Sequence, residues 1–185
     1  MVSISTATTP STGTWQIDPS HSSVEFIVKH MVFATAKGRF SGVSGTIVDA
    51  ADPAQSTVRV EIDPSTIDTR DEKRDAHLKS EDFFHVEQFP TMTFESTKVE
   101  RTGGNDLKVT GNLTMRGVSH ELVLDGTFNG SGKNPWGQEV AGYSASTEIN
   151  RHDWDLGFNV ALEAGGVLVG EKVKIEIDVE ASRAQ

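Results

Sequence analysis

Cysteine is absent from the chain. The fold therefore carries no disulfide, and thiol nucleophiles and Cys-bound metal centres are excluded. Positive charge is scarce: 17 Lys and Arg stand against 27 Asp and Glu, a formal net charge of −10. No basic cluster interrupts that excess, which argues against nucleic acid and anionic membrane surfaces as partners. No apolar run nears the roughly 18–20 residues that span a bilayer as a helix. The opening stretch MVSISTATTPSTG has neither a basic region nor an apolar core, so it does not read as a secretory leader. The expected compartment is the cytoplasm, or the periplasm or exterior if a leader has been removed. The Ser/Thr/Pro content of that stretch predicts a disordered tail over residues 1–12, ahead of one domain over 13–182.

Catalytic signatures are also missing. There is no Gly-x-Ser-x-Gly elbow for a hydrolase nucleophile. Gly130-Ser-Gly-Lys133 resembles part of a phosphate loop, but Gly126 is one residue out of register and the segment reads as a turn. None of the six histidines forms a His-x-His or His-x3-His pair on one element, the spacings that converge metal ligands. Neither a metal nor another cofactor is expected, and the chain is not expected to be an enzyme.

What is present is alternation. Val24, Phe26, Val28 and His30 share one face of a strand. Val58, Val60 and Ile62 share another, as do Leu107, Val109, Gly111, Leu113 and Met115. Leu122, Leu124 and Phe128 do the same, then Ala141, Tyr143, Ala145, Thr147 and Ile149, and finally Val173, Ile175, Ile177 and Val179. Turn residues separate them, notably Thr102–Asp106 and Arg116-Gly117. About eight strands follow, an antiparallel meander that is either a barrel or a sandwich.

One stretch departs from this rhythm. Arg74–Ser96, RDAHLKSEDFFHVEQFPTMTFES, begins with a charged segment near Asp71 and Asp75, which suit a helix N-terminus. A short helix over about Asp75 to Phe84 is predicted, with Asp75 and Lys79 four apart in the supporting order. Pro90 stops it, and Met92 and Phe94 then begin a strand with one buried face. Phe83 and Phe84 sit at the joint, either gating a mouth or fastening the helix to a wall.

The inward phase names Phe26, Val28, Phe40, Met92, Phe94, Leu113, Met115, Tyr143 and Leu168 as candidates to line a pocket, or to fill a core. Two polar residues share that phase. His30 would face a ligand head group or be satisfied by backbone or water. Arg151 requires a partner if buried. An internal carboxylate (Asp153, Asp155 or Glu148) is favoured over an anionic head group.

These pieces resemble the YceI family of bacterial lipocalin-like proteins. The resemblance is carried by WQIDPSHSSVEFIVKHM at Trp15–Met31, GRFSGVSG at Gly38–Gly45 and the whole of Arg74–Ser96. LTMRGVSHEL at Leu113–Leu122 and INRHDWDLG at Ile149–Gly157 complete it. It implies an all-β fold, an extended eight-stranded antiparallel lipocalin-like barrel with a short helix near one end. It also implies a long apolar pocket for a polyisoprenoid or isoprenoid quinone-like lipid, bound for storage, transport or sequestration. The partner would be that lipid, with no nucleic acid and no membrane-spanning segment. Exposed Val and Ile leave a homodimer open. Two alternatives stand beside this reading: an enzyme acting on a lipid-like substrate through His30 and Arg151, and a structural or partner-binding barrel with a filled core.

Overall fold

The structure, a computed structural model, describes residues 11–185. The tail expected over residues 1–12 lies outside them except for Ser11 and Thr12. These two are tied to the other end of the chain: the Arg183 guanidinium donates to Ser11 Oγ at 2.9 Å and to the Thr12 carbonyl at 2.6 Å.

The alternating segments form one antiparallel sheet. Its strands are β1 (Gly13–Ile17), β2 (Ser23–His30), β3 (Ala34–Phe40), β4 (Val43–Asp49), β5 (Thr57–Ile62) and β6 (Ile67–Asp68). After the single α-helix of the described residues, α1 (Glu72–Lys79), come β7 (Met92–Gly103), β8 (Asp106–Met115), β9 (Val118–Lys133), β10 (Glu139–Asn150) and β11 (Val169–Arg183). Three pairs of segments continue one another. β1 and β2 both lie along one edge of β11, with Trp15 opposite Arg183 and Ser23 opposite Asp178. β4 and β3 flank β1 and β2 in turn, and β5 and β6 flank β4 and β3. The remaining strands follow as a meander from β7 to β11. Since β11 bonds β10 on its other edge, the sheet closes into an eight-stranded antiparallel barrel. Barrel rather than sandwich is thus the outcome, as the family resemblance implied.

Three of the connections, those that follow β1, β4 and β5, share a local chemistry. Asp18-Pro19-Ser20, Asp52-Pro53-Ala54 and Asp63-Pro64-Ser65 are three short 3-10 turns. In each, the Asp side chain accepts the backbone N–H two residues on, at 2.8, 3.0 and 2.8 Å, and Pro fixes φ where no N–H is needed. At the first of them the sheet is kept whole by Ser22, whose hydroxyl donates to the Glu180 carbonyl and accepts the Glu180 N–H.

The helix starts three residues before the predicted position and ends five before. Asp71 is the cap, accepting the N–H groups of Lys73 and Arg74 at 3.0 Å each. Asp75 is engaged elsewhere, accepting both the N–H and the hydroxyl of Thr69. Arg74 adds bonds to the same Thr69, from Nε to its hydroxyl and from Nη2 to its carbonyl. Thr69, Arg74 and Asp75 thus moor the helix to the end of β6. Ser80 ends the helix, its N–H and its hydroxyl both bonding the His77 carbonyl. No residue of α1 is fully buried; it covers one end of the barrel as a largely polar strap, with Leu78 packing on the core beside Phe83 and Phe84.

Asp18 ties this architecture to pH. Hydrogen bonds from the Ser20 hydroxyl and then His21 hold its pKa at about 2, against an ordinary 3.8. A depressed carboxylate stabilises the fold above its unfolded pKa, and that contribution disappears as pH falls through the folded value. Urea unfolding followed from pH 5 to pH 2 is expected to show Asp18→Asn losing less stability than the parent between about pH 4 and pH 2. Parallel curves for the two proteins would contradict this assignment.

Candidate functional site

The barrel interior is apolar but not filled. A cavity of about 260 Å³ runs along it, walled by side chains from every stave. On β8 the wall extends from Leu107 to Met115. That is roughly 27 Å along a strand, or about 20 Å along the axis of a barrel tilted by some 40°.

Of the residues singled out from the sequence, Phe26, Val28, Phe40, Phe83, Phe84, Met92, Phe94, Leu113, Met115, Tyr143 and Arg151 lie in this wall. His30 and Leu168 do not. His30 has the inward phase, but it stands at the last position of β2, where the β2–β3 hairpin overruns the barrel. The neighbouring tip residues Val32 and Phe33 are 62% and 80% exposed. Leu168 belongs to the loop before β11, its N–H bonded to Val160 and its carbonyl to Met31. The wall residue there is Val169.

Glycines make room for two of the rings. Phe26 stands opposite Gly38 across the β2–β3 ladder, and a Cβ at Gly38 would come within 2.4 Å of the Phe26 ring. A Cβ at Gly111 would come within 2.6 Å of the Phe94 ring. Both rings therefore lie over bare backbone, leaving the axis of the barrel open.

At the helix end, aromatic rings form two clusters, one around Phe84 and one around Phe83. Phe84 meets Phe40 edge-on at 5.5 Å, and Phe40 meets Phe26 at 5.7 Å. Phe83 packs 5.2 Å from Phe158 and 5.2 Å from His77. Phe83 is 8% exposed, and Arg116 Nη1 donates to its carbonyl at 2.9 Å. Both members of the pair face the cavity while also holding the segment after α1 in place.

Arg151 is 3% exposed, and its partner is not a carboxylate. Nε donates to the Gly170 carbonyl at 2.8 Å, Nη1 to the Phe158 carbonyl at 3.0 Å and to the Leu156 carbonyl, and Nη2 to the Val169 carbonyl at 3.3 Å. The expectation of Asp153, Asp155 or Glu148 is corrected here. The chain after Arg151 turns back under Trp154, whose indole N–H bonds the Leu113 carbonyl at 2.8 Å, and so presents its carbonyls inward. Four neutral acceptors solvate the guanidinium in place of one charge. Burial lowers its pKa, and Glu171 opposes that shift.

The opposite end is floored by Trp15, Phe128, Ala141 and Ala181, each at most 1% exposed. Above them sits a polar group of which the sequence reading named Tyr143 alone, as a wall residue, and missed Asp49 and Arg101. Asp49 Oδ1 accepts from Arg101 Nη2 at 3.0 Å, and the Tyr143 hydroxyl is buried nearby; all three residues line the cavity. Asp49 carries a usable signal, because it continues the phase of Val43, Gly45 and Ile47 on β4. Arg101 does not. A bulge between Ser96 and Lys98 reverses the inward phase of β7, from Met92 and Phe94 to Val99 and Arg101.

A closed antiparallel barrel with one end strapped by a helix and a continuous apolar interior defines a lipocalin-like protein. The chain belongs to the YceI-like family, whose domain matches residues 15–181. A UPF0312 protein of Staphylococcus aureus is 40% identical over 167 residues, 89% of this chain and 95% of that protein. The crystal structure of the Campylobacter jejuni YCEI protein superposes with a TM-score of 0.71 at 30% identity, covering 85% of this chain and 90% of that one. A polyisoprenoid binding domain from Saccharophagus degradans shares the fold, with a TM-score of 0.68 at 14% identity, covering 94% of this chain and all of that one.

Two substitutions check this account of the wall. Arg151→Ala would strand four inward carbonyls and is expected to cost about 2–5 kcal/mol in chemical denaturation. A loss below 1 kcal/mol would mean that the guanidinium is not what holds that turn. Gly38→Ala is expected to cost about 1–3 kcal/mol by displacing the Phe26 ring; an unchanged midpoint would show that the ring has room to move.

Proposed function

We propose that the protein binds one long-chain apolar amphiphile inside the barrel, a polyisoprenoid or isoprenoid quinone-like lipid, and stores, carries or sequesters it without chemical change. The observation that carries this reading is the wall itself: an open interior, apolar along nearly its whole length, reaching from Phe83 and Phe84 to the floor above Trp15 and Phe128. Each methylene moved from water into such a wall contributes roughly 0.8 kcal/mol, so a few isoprene units offset a sizeable association cost. The polyisoprenoid-binding designation of the Saccharophagus degradans domain supports the same ligand class by likeness of fold.

Binding is favoured over catalysis because the residues an enzyme reading would use are otherwise placed. His30 lies outside the wall, and the Arg151 donors are spent on carbonyls. A filled structural barrel would need a close-packed interior, which the open cavity argues against.

Displacement of a fluorescent apolar dye by prenyl lipids tests the proposal. One dye per protein, displaced in competition by a prenyl chain, is expected; absence of a displaceable site would overturn it. In the gating reading of the Phe pair, combined Phe83→Ala and Phe84→Ala substitution is expected to speed ligand exchange severalfold in stopped flow. Slowed or unchanged exchange in a destabilised protein would assign the pair to anchoring alone.

A further inference from the structure

Seven large apolar side chains stand exposed among the described residues, and five of them share one end of the barrel: Met31, Val32, Phe33, Val160 and Val167. Met31–Phe33 is the tip of the β2–β3 hairpin. Val160 and Val167 belong to a smaller hairpin before β11, closed by the Ala161–Val167 bridge and by the Leu162 N–H on the Gly166 carbonyl. The two tips are fastened side by side. The Met31 N–H donates to the Leu168 carbonyl at 2.9 Å, and Val32 lies so close over Gly166 that a Cβ there would come within 2.7 Å of its Cγ2. Residues 30–36 and 158–169 together hold a single charged side chain, Glu163, in a chain that is 24% charged. This projection stands at the helix end. His30 pairs with Val169, a wall residue, and Phe158, two residues before Val160, packs on Phe83. The tip is also strained. Met31 and Val32 both take left-handed backbone, with φ of 51° and 70°. Asn and Gly reach that region at little cost, whereas for a β-branched valine it is an outlier. The β7–β8 turn at the floor end follows the ordinary rule with Gly104 and Asn105. Val32 thus costs both solubility and backbone energy where Asn would cost neither, and strain kept at an exposed tip points to a use there.

Resting on the binding role proposed above, we infer that the paired tips are a membrane-docking surface. They seat Val32 and Phe33 at the boundary of head groups and acyl chains in an electrically neutral bilayer, and hold the helix end of the barrel against it. The exposed apolar area is a few hundred Å², the size of a functional patch but short of the roughly 800 Å² per partner that a stable protein interface buries. A second copy would also have to supply a matching surface, whereas a fluid interface moulds itself to a projecting tip. Charge selects the kind of bilayer. The patch offers no Lys or Arg and the whole chain carries −10, so anionic lipid repels it and zwitterionic lipid does not. Docked in this way, the cavity end walled by Phe83, Phe84 and Val169 lies next to the bilayer. An apolar chain can then pass from one apolar phase to the other with little exposure to water.

The test is flotation of the full chain with phosphatidylcholine vesicles, alongside binding of an apolar dye in solution without vesicles. The parent is expected to float with the vesicles, and to float less when phosphatidylserine replaces part of the lipid at low ionic strength. Phe33→Ser and Val32→Asn are each expected to weaken vesicle binding about tenfold, through the loss of one inserted apolar side chain. Dye affinity is expected to be unchanged in both, since neither residue belongs to the wall. Val32→Asn separates docking from structure. Asn accepts left-handed backbone, so the unfolding midpoint of this variant is expected to equal or exceed the parent's while vesicle binding falls. A parent that binds dye but stays in the soluble fraction, variants that float like the parent, or stronger binding to the phosphatidylserine vesicles would overturn the docking surface and leave the cavity reading standing. So would a parent dimer in sedimentation velocity, without flotation, that Phe33→Ser dissociates; that result assigns the patch to a second copy. Flotation that Phe33→Ser abolishes, from a protein that takes up no dye, would uphold the docking surface and overturn the cavity reading.

Discussion

Closure of the sheet through β11 is the constraint on which everything else depends. β11 bonds β10 along one edge and, in succession, β2 and β1 along the other. An open sheet of these strands would expose one face of valine, isoleucine and phenylalanine to water and leave two unpaired edges. Closed, the same face becomes an interior and the edges vanish. The devices at the seam follow from this need. The Asp18 turn redirects the chain between β1 and β2, Ser22 substitutes for a ladder bond to Glu180, and Arg183 clips Ser11 and Thr12 against the end of the barrel.

Closure alone does not explain why the interior stays open. Eight-stranded barrels can be packed shut by their own side chains. In this one the largest rings are drawn toward the wall and the ends. Phe26 and Phe94 lie over glycine backbone, Phe83 and Phe84 gather under the helix strap, and Trp15 and Phe128 form the floor. Small residues on the inward face, such as Ala145 and Gly126, keep the middle clear. The polar residues of the wall are divided between the ends. Arg151 is saturated by carbonyls and acts as a structural tie, whereas Asp49, Arg101 and Tyr143 keep unspent hydrogen-bonding capacity.

Most of the barrel was legible because a strand's period of two maps directly onto inside and outside. Val173 through Val179 and Leu113 with Met115 read inward in the sequence and line the cavity in the structure. The choice of barrel over sandwich was not legible from that period, since strand alternation is the same in both; it came from likeness to a family. The errors have local causes. Asp71 and Asp75 both suited the helix start; Asp71 is the cap, while Asp75 is bound to Thr69, and the helix therefore begins earlier than expected. His30 kept its phase past the point where there is still a wall opposite. Arg101 was hidden by a single bulged residue, which turns a strand over without leaving a trace in composition. Arg151 was read as needing a charge because burial of a cation suggests one, and sequence shows nothing of how a later loop aims its carbonyls. Arg101 and the carbonyls around Arg151 were thus lost to irregular backbone, whereas Asp49 sits in phase on a regular strand.

The central claim is that the interior is a binding site for an extended apolar chain rather than an unfilled core. Experimental electron density inside the barrel, from protein purified with no added ligand and handled without detergent, tests it most directly. The account predicts continuous tubular density along the axis between Phe83 and the floor at Trp15 and Phe128. An interior empty of density, or one collapsed so that the wall side chains touch across the axis, would contradict it.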